Sequence, residues 1–136
     1  MNFTEEQWDD LAGLLRSEIE GYGRLFALLE DQHDTLVQHN LESLIGVNHR
    51  LQAHTQSLAE LRRTREQLVR QLAMEAGTDI DSPSVKDLLA SSPEHSGPMF
   101  EELLKEVNRL IDSSRNKLEC NQMLLRRSRD IGQSFL

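Results

Sequence analysis

Cysteine is nearly absent from this chain. Cys120 is the one example in 136 residues, so neither an internal disulfide nor a cysteine-rich zinc cluster can form. It reads as a small buried or half-buried side chain. Aromatic residues are 4% of the total, with a single Trp and a single Tyr, so leucine must supply most of any core. Proline is confined to the linker-like stretch 77–98. No apolar run approaches the ~20 residues that cross a bilayer. The start, Met1-Asn2-Phe3-Thr4-Glu5-Glu6, is acidic and lacks the basic and apolar regions of a signal peptide. A cytoplasmic protein is expected. Basic charge is also short: 15 Lys and Arg against 23 Asp and Glu leave a net charge of −8. Nucleic acid, which demands a basic surface, is excluded as a natural partner.

What the chain has instead is a seven-residue apolar repeat. Trp8, Leu15, Tyr22, Leu29 and Leu36 follow one another at that step, flanked by Ala12, Ile19 and Phe26. Leu44, Leu51, Leu58 and Leu72 keep it in a second stretch, and Leu104, Ile111, Leu118 and Leu125 in a third. A period of 3.5 holds one face of a helix against a partner over many turns and gives coiled-coil-like packing.

Helix boundaries follow from local chemistry. Thr4 can cap the first helix, with Gln7 completing a capping box and Phe3 stapling to Trp8. That helix is expected over about 5–37. Its acidic residues, nine within 1–34 against Arg16 and Arg24, read as a solvated face, Glu18 and Glu20 included. Gly21 and Gly23 flank Tyr22 and mark either a close helix crossing or a local weakness. His39-Asn40 breaks the pattern, and Asn40 is a good N-cap for a second helix over 41–76. Gly77 suits the residue just past its end. The break is so short that the two helices should fold back on one another. Within the linker 77–98, Ser82-Pro83 can open a short helix over 85–90, with Leu88 and Leu89 docking on the bundle end. A third long helix runs over 99–136. The expected fold is all-α, a single domain 1–136, an elongated antiparallel three-helix bundle with coiled-coil-like heptad packing and one short linker helix.

Catalytic and metal chemistry find little support. Glu30-x-x-His33 is one metal-like spacing, but di-iron bundles need two such motifs and further inward glutamates. His33 also falls on the apolar seam, His49 and His54 lie five apart on different faces, and His95 is in the linker. No glycine-rich elbow or phosphate-cradling loop is present. No enzyme, metal or cofactor is expected.

The third helix is unusual. Its line at 100, 107, 114, 121, 128 and 135 reads Phe, Val, Ser, Asn, Ser, Phe, apolar at first and then interrupted. Either Asn121 is a register-setting polar residue in an ordinary core, or the distal half is under-committed. In the second case Leu118, Leu124, Leu125, Ile131 and Phe135 are free to hold an amphipathic helix of another protein.

Several ordered motifs resemble a known family. Leu14-Leu15-x-x-Glu18-x-x-x-Tyr22-x-x-Leu25-x-x-Leu28-Leu29-Glu30 is similar to the N-terminal signature of flagellar export chaperones of the FlgN type. Asn40-Leu41-Glu42-x-Leu44 resembles their first turn, and Leu58-x-x-Leu61-x-x-x-Arg65-x-x-Leu68 their second helix. Asn121-x-x-Leu124-Leu125-x-x-Ser128 resembles the C-terminal stretch with which they hold clients. Where the family often has a second Asn three residues earlier, this chain has Leu118. The resemblance implies a non-enzymatic chaperone for hook-associated (hook–filament junction) proteins. It would cover their terminal helices against early polymerisation and deliver them to the flagellar type III export apparatus. The client-binding residues would be Leu118, Asn121, Leu124, Leu125, Ser128, Ile131 and Phe135. A generic coiled-coil scaffold or homodimerisation module is the alternative.

Overall fold

The computed structural model of the chain describes residues 3–78, 81–93 and 95–134, and among these the side chains from 5 to 127. Helix α1 spans Phe3–Val37 and α2 spans Leu41–Glu75. The short α3, Val85–Leu88, runs into a 3₁₀ turn at Leu89–Ser91, and α4 spans Gly97–Ser134. No strand occurs among the described residues. The chain is an all-α, elongated bundle, since helices of 35 and 38 residues reach roughly 50–57 Å at 1.5 Å per residue. The expected Thr4 cap and Phe3–Trp8 staple lie outside the described side chains.

The turn between α1 and α2 is compact because one residue serves two helices. The Asn40 N–H donates to the Thr35 carbonyl at 3.0 Å and the His39 N–H to Leu36 at 3.3 Å. These are the paired bonds of a Schellman ending, in which the residue past the helix adopts a left-handed conformation. Here that residue is His39, at φ 55°, a position more often given to glycine. Asn40 then accepts from the Ser43 N–H at 3.1 Å and caps α2. The end of α2 repeats the motif with Gly77 at φ 71°.

Contacts fix the directions. Glu18 meets Arg65 and Gln32 meets Asn48, so α2 runs antiparallel to α1. Trp8 meets Phe100 and Gln32 meets Asn121, so α4 runs parallel to α1. Gly21 sits where α1 and α2 cross closely: a β-carbon there would strike the Leu58 side chain, whereas one at Gly23 would meet open space.

The core is concentrated at one end. Trp8, Leu11 and Leu15 of α1 close on Val69 and Leu72 of α2 and Phe100 of α4. The Trp8 and Phe100 rings meet edge to face with centroids 5.4 Å apart. Helix α3 plugs this end with Val85 and Leu88. Its cap is Ser84, which shares a capping box with Asp87, rather than the expected Ser82. Ser84 is the residue immediately before the helix, from which an Oγ reaches the third N–H. Side chains of this size contribute about 1.5–3 kcal/mol each when fully buried. Helix α4 joins this cluster only as far as Ile111. Beyond that its inward line carries buried Ser114 and Asn121.

Helix α1 packs closely on both α2 and α4, whose backbones stay further from one another although Val69 and Leu72 share the core cluster with Phe100 and Val107. An opening remains between α2 and α4, with α1 at its bottom.

Candidate functional site

The opening is a groove. Its floor is the α1 line that alternates three and four residues: Leu15, Glu18, Tyr22, Leu25, Leu29 and Gln32. The α4 wall presents Leu104, Ile111 and Leu118; the α2 wall presents Leu51, Thr55 and Arg65. Two sections, of about 360 Å³ and 480 Å³, share Ile111 and run end to end. Alternation of three and four residues is the spacing of a coiled-coil seam. Leu15, Glu18, Leu29 and Gln32 are buried by the neighbouring helices, and Tyr22 and Leu25 stay half-buried at the bottom of the opening. Helix α3 and its 3₁₀ turn line the second section through Val85, Lys86 and Leu89.

Two polar layers interrupt the floor. At the first, the Arg65 Nε donates to Glu18 Oε1 at 2.8 Å. Glu18 is only 1% exposed, and its second carboxylate oxygen has no partner. This corrects the sequence reading of Glu18 as part of a solvated acidic face: it occupies a seam position between Leu15 and Tyr22. Burial pushes the Tyr22 phenol above its ordinary range, and the negative charge of Glu18 adds to the effect. At the second layer, Asn121 Nδ2 donates to the Leu29 carbonyl at 2.8 Å and to Gln32 Oε1 at 2.9 Å. The Gln32 amide in turn donates to Asn48 Oδ1 at 2.9 Å, and His33 Nδ1 lies 3.3 Å from Asn121 Oδ1. The layer links all three long helices.

The residues singled out on α4 separate accordingly. Leu118 is 42% exposed and lines the groove. Asn121 is fully buried and faces α1. Leu124 and Leu125 are half-buried, and Leu125 lies beside Leu36, Leu41 and Leu44 at the α1–α2 turn. The side chains of Ser128, Ile131 and Phe135 lie outside those described. Cys120 is exposed, not buried or half-buried as expected, because the neighbouring Asn121 takes the inward position. His33 is committed to Asn121, and among the described residues no three His, Cys, Asp or Glu side chains gather to hold a metal ion.

Sequence reasoning missed Glu18, Arg65, Leu51 and Thr55 as parts of one site. A signal existed: Glu18, Leu25 and Gln32 are seven residues apart and form the second line of the α1 seam. Apolarity alone hides such a line when every second member is polar.

An all-helical bundle with an open groove is a protein whose chemistry lies in helix faces. The chain belongs to the FlgN family: the family model described as FlgN protein matches residues 1–136. FlgN proteins are not enzymes, and membership implies a chaperone role in flagellar export. No curated protein and no solved structure matches the chain. No described helix is long and apolar enough to cross a membrane.

Proposed function

We propose that this chain is a cytoplasmic chaperone for hook-associated, hook–filament junction proteins. It binds their terminal helices, prevents premature polymerisation and delivers them to the flagellar type III export apparatus. The observation that carries the reading is the full-length family match on a chain whose α4 leaves Leu118 at the mouth of an open groove. Leu124 and Leu125, half-buried, follow Leu118 along α4, Leu125 beside the α1–α2 turn, and Ser128, Ile131 and Phe135 continue the stretch along the sequence. Asn121 takes part by holding α4 on α1, which sets the angle at which Leu118 is offered. An amphipathic client helix gains affinity from a few apolar anchors that lose water on docking. The chaperone then works by competition: a client helix covered in this way cannot polymerise.

Capture of purified hook-associated proteins by the immobilised chain tests the reading. Stoichiometric capture that is lost with Leu124→Ala and Leu125→Ala, while circular dichroism is unchanged, supports it. Absence of any capture overturns it.

A further inference from the structure

The charge of the groove opposes that of the molecule. Four basic side chains line it, Arg65, Lys86, Lys105 and Arg115, against the acids Glu18 and Glu101. The chain as a whole has 15 basic and 23 acidic residues. Arg65 is held by Glu18. Lys105 and Arg115 reach Glu102 and Asp112 on their own helix only at 3.5 and 3.9 Å, and both are more than half exposed. Exposed pairs of that kind contribute little and exchange readily for another partner. On the opposite wall, α2 offers the uncharged Gln52 and Thr55, with Arg65 further along and already held by Glu18.

We propose that the groove takes a fourth helix, acidic on one flank, and so completes a four-helix bundle with the client. This rests on the chaperone reading and specifies its ligand. The α4 wall from Leu104 to Leu118 accommodates about four turns. The occupant carries an apolar stripe at alternating three- and four-residue steps. Its acidic flank lies along α4, with carboxylates spaced about 15 Å apart to match Lys105 and Arg115, ten residues from each other. Its other flank, along Gln52 and Thr55, is polar and uncharged.

The probe is a pair of labelled helical peptides with the same leucine stripe, one with Glu and one with Lys on the flank. Fluorescence anisotropy with the full chain should show the Glu peptide binding at least tenfold more tightly, although the protein carries a charge of −8. Lys105→Glu with Arg115→Glu should reverse the preference. Thr55→Trp, a bulky side chain at an exposed position, should weaken both peptides with the helical spectrum unchanged. Equal or tighter binding of the Lys peptide, or a preference untouched by the charge reversal, overturns the proposal. Purified hook-associated proteins separate the two readings. If the wild type and all these variants capture them equally, the groove is wrong and the chaperone reading stands. If the wild type captures none, the chaperone reading fails on its own.

Discussion

Asn121 of α4 donates its amide to the backbone carbonyl of Leu29 on α1, 2.8 Å away in a fully buried site. A mid-helix carbonyl already accepts within its own helix, so this second bond ties α4 to one level of α1. Gln32, Asn48 and His33 complete the layer. Asn121→Ala leaves Gln32 Oε1 without its α4 donor in a buried position. We expect a loss of about 1–3 kcal/mol in urea unfolding, and faster amide exchange in α4 beyond Ser114 than before it.

Glu18 and Arg65 differ in how each would fare alone. Arg65 retains 21% side-chain exposure, against 1% for Glu18. In Glu18→Ala the guanidinium can swing to water. In Arg65→Ala a carboxylate stays buried without its cation, the costlier outcome. Arg65→Ala should therefore lose more stability than Glu18→Ala, by about 1–2 kcal/mol in the same denaturant series. The reverse order would place Glu18 in contact with water.

Tyr22 is the single tyrosine, so the near-ultraviolet phenolate signal reports on it alone. Burial, reinforced by Glu18, raises its pKa above the ordinary 10.0. A raised folded value means that the folded state holds the proton more tightly. The stabilising contribution is complete below the unfolded value and disappears as pH rises through the folded one. The phenolate should appear at higher pH in the native protein than in urea. Tyr22→Phe should flatten the loss of stability on the alkaline side.

Gly21 and Gly23 stand two residues apart in one helix and should respond oppositely to alanine. Gly23→Ala meets open space and should stabilise by about 0.5–1 kcal/mol through helix propensity. Gly21→Ala would drive its methyl into Leu58 at the α1–α2 crossing and should cost about 1–3 kcal/mol. Thermal unfolding of the two variants distinguishes these outcomes.

The long helices were legible because a heptad pattern and two helix stops, His39-Asn40 and Gly77, agree with one another. The inward line of α4 was legible too, since Phe100, Val107, Ser114 and Asn121 share a seven-residue step. What the pattern could not say is which helix each face meets. A heptad marks a face for burial but does not name its partner, so an open arrangement in which α2 and α4 both lean on α1 reads like a closed one. Glu18 was misread for a related reason: a charged residue on a seam is indistinguishable from a surface residue until its cation, Arg65, is brought 2.8 Å away by a helix folding back. The same holds at Gly21 and Gly23, where only the position of Leu58 separates a crossing from a weakness.

The central claim is that the exposed apolar wall of α4 captures hook-associated proteins. Leu118→Asp tests it most directly, because Leu118 is 42% exposed and its replacement leaves the Trp8–Phe100 core untouched. Titration calorimetry of a purified hook-associated protein should show one client bound by the wild type. The variant should bind at least tenfold more weakly, the loss of an apolar anchor worth about 1.4 kcal/mol or more, with the same helical spectrum and melting temperature. A correctly folded Leu118→Asp protein that binds the client with wild-type affinity would contradict the account.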